Sequence, residues 1–162
     1  MWESNKINIT WILIYMVSSQ LFGASVPEDV ALAVAHNIYI EHENLHGRDE
    51  FIISRVETII NEGNKLIYIF HLDPKGFIMV PATDQAVPNL AFGFEHPFES
   101  SNMPSNLQAL MNQYKLELQT LINNQADPSD EIADKWDTYL SGNIEQSRGR
   151  DVSPLINAEF DQ

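Results

Sequence analysis

At 162 residues, with 44% hydrophobic residues, eight Pro and seven Gly, the chain has the size and composition of one globular domain with a real core. A formal net charge of −14 repels nucleic-acid phosphates and anionic membranes and excludes both as partners; it suits a basic protein surface, or simply keeps the chain soluble. The absence of cysteine excludes disulfides and thiol catalysis by this chain.

Residues 1–25 read as a secretory signal peptide. Lys6 precedes a nearly continuous apolar run over 7–22, and the small residues Gly23, Ala24 and Ser25 follow, with cleavage after Ser25 fitting best. The alternative is an uncleaved anchor, but the run is short for a spanning helix and contains Asn8, Ser18, Ser19 and Gln20. The expected location is therefore secreted or periplasmic, with no membrane contact after cleavage.

Pro27-Glu28-Asp29 predicts a helix start, since proline suits the first turn and acids complement the positive end of the dipole. Val30, Ala31, Val34, Ala35 and Ile38 form its apolar stripe, and Gly47 is the latest stop. Residues 51–60, 65–72, 76–81 and 89–94 predict four strands of an antiparallel meander. Asn61-Glu62-Gly63-Asn64, Asp73-Pro74-Lys75-Gly76 and a turn over 82–88 separate them. Leu107, Leu110, Met111, Tyr114, Leu118 and Leu121 then predict an amphipathic helix of about five turns. A shorter helix over 128–140 follows, with Ser129 or Asp130 as cap and Gly142 as stop. The expected class is α+β: an N-terminal helix, a four-stranded antiparallel sheet, then two helices packed on the sheet, with the helices on one face. The domain spans 26–147, and 148–162 is a tail of different character.

His42-Glu43-Asn44-Leu45-His46 is a literal H-E-x-x-H, which on a continuous helix sets two imidazoles on one face for zinc, with Glu43 as base. The motif falls where the apolar stripe ends, Arg48 follows it, and no typical third ligand is near, so a solvated helix end is the simpler reading. His71 and His96 have no paired acid in sequence and read as surface or edge histidines. Asp84 reads as a turn carboxylate bonded to nearby amides. Trp136 and Tyr139 are explained by packing of a short helix. Arg148 and Arg150 flank Gly149 in a polar connector that suits maturation cleavage. Met103, Pro104, Ser105, Asn106 and Leu107 form a loop entering a helix, stiffened by Pro104 and presenting Asn106; such a preordered loop enters a cleft with little entropy loss.

Tyr68, Ile69, Phe70, Leu72, Gly76, Phe77, Val80, Ala82, Asp84, Ala86, Pro88 and Leu90 follow a pattern that resembles the propeptide of streptopain-like cysteine peptidases. That module also occurs as a separate, Spi-type inhibitor. The M-P-x-N-L pattern of the family falls on Met103, Pro104, Asn106 and Leu107, and the resemblance implies that this loop approaches the active-site cleft of the enzyme. Val152, Pro154, Leu155, Ile156, Phe160 and Gln162 match the start of the mature enzyme, with Phe for Trp and Ile for Leu. The likeness covers roughly 30–162, and the family's catalytic cysteine and histidine lie beyond it. It implies an inhibitory or chaperone-like prodomain, free-standing or from a truncated zymogen, that is not itself an enzyme and needs no cofactor. Its partner would be a streptopain-like peptidase domain, contacted through Met103, Pro104, Ser105 and Asn106. The rival readings are a small secreted zinc peptidase using His42, Glu43 and His46, and a secreted binding domain with no peptidase partner.

Overall fold

The computed structural model describes residues 25–142 apart from Asp49 and Asn102. The signal-peptide reading, except for Ser25, and the tail with Arg148 and Arg150 lie outside the described residues. Helix α1 (Glu28–Glu41) and the single turn α2 (Glu43–His46) come first. Strands β1 (Ile53–Asn61), β2 (Asn64–Leu72), β3 (Phe77–Pro81) and β4 (Ala91–Gly93) follow, then α3 (Ser105–Asn124) and α4 (Asp130–Ser141). The strands pair antiparallel in the order β1-β2-β3-β4. The class is α+β, as the alternation of elements predicts.

Local chemistry sets the boundaries. Glu62 and Gly63, with φ of 50° and 82°, close the β1–β2 hairpin, whose two central residues both need positive φ, a demand that glycine meets without strain. Ser129 Oγ accepts from Ile132 N at 3.4 Å to cap α4, and Gly142 ends that helix in the left-handed conformation.

The helices occupy both faces of the sheet rather than one. Tyr68, Phe70 and Leu72 of β2 and Ile78 and Val80 of β3 meet α1 and α4. Ile67 and Ile69 of β2 and Met79 of β3 meet α3 through Met111 and Leu118. The cause is legible in β2: Leu66 to Phe70 are five consecutive residues with at most 1% exposure, so both sides need covering. Leu66 is the extra residue of a bulge, since Ile59 pairs with Ile67 but Ile60 with Lys65.

The first face is tied together by polar bonds as well as packing. Tyr68 OH donates to Val26 O at 3.1 Å, and Val26 N donates to Ala82 O at 3.0 Å, fastening the start of the domain to the sheet. Trp136 Nε1 donates to Ala86 O at 2.8 Å, so α4 clamps the 82–88 turn. Tyr139 OH donates to Glu41 Oε2 at 2.7 Å and Asn37 Nδ2 donates to Tyr139 O at 2.5 Å, which locks α4 to α1. Burial and the Glu41 carboxylate push the Tyr139 phenol well above its usual pKa.

Candidate functional site

The segment between β4 and α3 is built from its anchors outward. Gly93 lies under the Phe77 ring: a Cβ there would stand 2.9 Å from Phe77 Cε1, so glycine lets the ring lie flat on β4. Phe98, only 4% exposed, packs beside Phe77 with ring centroids 5.3 Å apart. Met103 is half-buried against the same apolar cluster. Two apolar anchors thus stand just before α3, and the exposed pair Lys75 and Glu95, 2.8 Å apart, adds a weak link to the β2–β3 turn.

Pro104, Ser105 and Asn106 are exposed. Helix α3 begins at Ser105, so Asn106 stands on its first turn rather than in the loop before it. Pro104 is the N-cap residue, with φ −54° and ψ 151°, and among the described residues no side chain caps the helix. Proline has no side-chain acceptor, so Pro104 itself satisfies none of the early N–H groups of α3. Pro104 also rims an apolar groove of about 300 Å³, floored by Phe77, Met79 and Ala91 and walled by Leu107, Met111 and Tyr114. Leu110 lines this groove half-exposed and is not a core residue, although its spacing suggests one; the buried members of the stripe are Met111 and Leu118. Tyr114 OH donates to Leu90 O at 3.1 Å and holds the groove wall to the sheet.

The H-E-x-x-H residues do not share one helix. Helix α1 ends at Glu41, His42 has the non-helical φ of −105°, and α2 is a separate turn ending at Gly47. Arg48 N donates to His46 Nδ1 at 3.1 Å, which leaves His46 Nε2 to donate to Tyr39 O at 2.9 Å. Both nitrogens of that ring are committed, and it stacks on Tyr39 with centroids 3.9 Å apart. His42 Nδ1 lies 2.9 Å from Ile38 O, and its ring lies 4.0 Å from that of Phe92. Glu43 is exposed. Both imidazoles finish a helix, His42 packing on Phe92 of β4 and His46 on Tyr39 and Phe94, and zinc could reach His46 only by displacing one of its bonds.

Three features escape a reading of the sequence. Arg48 is the first: its Nη1 donates to Asp73 O and Lys75 O at 3.2 and 2.9 Å, and its Nη2 to Phe94 O at 3.2 Å. One guanidinium thereby joins the segment after α2 to two sheet loops. His71 is the second. It is buried at 6% exposure and its Nε2 lies 3.2 Å from Glu57 Oε2, which corrects its reading as an isolated edge histidine. The β1–β2 register supplies the acid, placing Arg55 opposite His71 and Glu57 two residues further on the same face. Phe98 is the third; its anchoring depends on the distant Phe77 and carries no local signal.

No curated protein and no solved structure shows a match to the chain. A family model described as Spi protease inhibitor matches residues 23–118, more than half of the sequence. The matched region runs through α1, the whole sheet and most of α3, and so takes in the Met103–Asn106 segment and its groove. The chain belongs to the Spi protease inhibitor family.

Proposed function

We propose that this protein inhibits or escorts a streptopain-like cysteine peptidase with a papain fold, acting as a free-standing inhibitor or as the prodomain of a zymogen. The observation that carries this reading is the uncapped first turn of α3. Pro104, Ser105 and Asn106 are exposed between the anchors, buried Phe98 and half-buried Met103, and the packed helix behind them. Such a segment loses little entropy on entering a cleft, and the first-turn N–H groups and the Asn106 amide offer polar contacts there. A segment held in place by its own helix is also a poor substrate, because it cannot adopt the extended form that a peptidase needs to present a peptide bond for attack. The domain acts outside the cell or in the periplasm after loss of residues 1–25, and Arg148 and Arg150 supply the cleavage point where a catalytic domain follows. The strong negative charge favours a basic surface around the peptidase cleft and speeds association with it.

The test is inhibition kinetics with the chain lacking its leader. Reversible competition with substrate on a streptopain-like peptidase, weakened by Asn106→Ala, supports the assignment. Inhibition of an unrelated peptidase class alone would keep the family and remove the proposed target.

A further inference from the structure

Strand β1 is an edge of the sheet, nine residues long, and among the described residues no other strand pairs with its outer side. The helices lie mainly over β2 and β3, with Asn61 at the end of β1 donating to Gln119 of α3 at 3.2 Å. An open edge of this length is a template for another strand, and proteins ordinarily blunt such edges with bulges or inward charges. Here the one extra residue of β1, Ser54, sits near its start, since Ile53 pairs with Leu72 but Arg55 with His71. The rest of β1 continues with no further extra residue of its own. Its apolar side chains are open: Val56 is 36% exposed and Ile60 60%, with Ile52 at 45% just before the strand.

The sequence of this edge is self-complementary. In an antiparallel pairing of two copies about a two-fold axis at Val56, Val56 meets its own counterpart. Arg55 then faces Glu57 of the second copy, twice, and Ser54 faces Thr58. The same register brings Ile60 towards Ile52 of the second copy at each end of the seam. A two-fold axis at Thr58 would instead set Arg55 opposite Asn61 and Glu57 opposite Ile59, with no opposed charges. Strand β1 carries one Arg and one Glu and is neutral within a chain of net charge −14, so two copies approach there with little repulsion.

We propose that two copies of this protein pair through β1 into one continuous eight-stranded sheet, with reciprocal Arg55–Glu57 contacts setting the register. The inference goes beyond the inhibitor reading and does not depend on it. The Met103–Asn106 segment and its groove lie with β3 and β4, towards the other edge of the sheet, so the dimer carries both segments outward.

Sedimentation velocity of the chain lacking its leader, from about 1 to about 100 μM, should show a reversible monomer–dimer equilibrium. Arg55→Glu and Glu57→Arg should each weaken it about tenfold or more, and the double exchange should restore it to within about threefold. Because both side chains also touch His71, and Arg55 Nη2 lies 3.4 Å from Glu57 Oε2 within one chain, a pair the double exchange also restores, Val56→Lys on the opposite face serves as a second disrupting variant, with thermal stability recorded for all four. Hydrogen exchange at residues 55–61 should slow only as dimer forms. A monomer throughout the range overturns the proposal, as does failure of the double exchange to rescue. Protection of the edge in the monomer would assign it to the chain's own residues 143–162, and protection only on adding a peptidase would assign it to that partner; either result overturns the proposal.

Discussion

The two faces of the sheet are held by different means. Against α1 and α4, Tyr68, Phe70, Ile38, Val34, Ile78 and Val80 are all at most 1% exposed. Four side-chain to backbone or side-chain to side-chain bonds close that layer, from Tyr68, Trp136, Tyr139 and Asn37. Against α3, only Met111 and Leu118 of the apolar stripe are fully buried, Leu116 is 70% exposed, and an apolar groove remains open beside the first turns. Both faces bury apolar side chains of β2 and β3, and the α1/α4 face adds these bonds between its elements. The other carries α3, whose first residues are exposed and form the proposed contact segment. A scaffold that is tight on one side can carry a contact segment with unmet bonding capacity on the other.

That contrast can be broken at its strong end first. Removing the ring in Phe70→Ala should cost about 3–5 kcal/mol, and Met111→Ala on the looser face about 2–5 kcal/mol. Denaturant titrations measure both, and a loss below about 1 kcal/mol at Phe70 would mean that the α1/α4 face does not hold the domain. Leu110→Ala sharpens the distinction: a half-exposed groove residue should cost clearly less than Met111→Ala, by about 1 kcal/mol or more. Equal losses would place Leu110 in the core.

A smaller effect follows from Tyr139. The fold raises its pKa above the reference value of 10.0, through burial first and then the Glu41 hydrogen bond and charge. A raised phenol pKa stabilises the fold while the unfolded phenol stays neutral, so this contribution is fully present below about pH 10 and declines as pH rises beyond it. Tyr139→Phe should therefore lower stability at neutral pH by about 1 kcal/mol and flatten the loss of stability above pH 10. An alkaline profile unchanged by the substitution would detach Tyr139 from the α1–α4 contact.

The legible parts of the molecule were those written locally. The caps at Ser129 and Gly142, the hairpin at Glu62-Gly63 and the stripes of α1 and α3 each follow from residues a few positions apart. What depended on register was hidden. The alternation needed to put helices on one face is absent from Leu66-Ile67-Tyr68-Ile69-Phe70, and that run is itself the signal for two covered faces. The Glu57–His71 contact needs the β1–β2 pairing, and the three carbonyls held by Arg48 come from positions 25 to 46 residues away. The helix break at His42 was foreshadowed by the fading apolar stripe, but the bond from Arg48 N to His46 Nδ1 was not. For the proposed contact segment, the sequence suggests Met103 to Asn106, and the structure shows how it is built: Phe98 and Met103 pack in the apolar cluster and Pro104 stands at the N-cap without a capping side chain.

The most direct test combines inhibition and stability in one variant. Asn106 is exposed on an uncapped helix turn, so Asn106→Ala should leave the melting temperature nearly unchanged while weakening competitive inhibition of a streptopain-like peptidase about tenfold or more. Absence of inhibition by the unaltered chain at micromolar concentration, or inhibition that does not compete with substrate, would contradict the account; unchanged inhibition by Asn106→Ala would remove this segment as the contact.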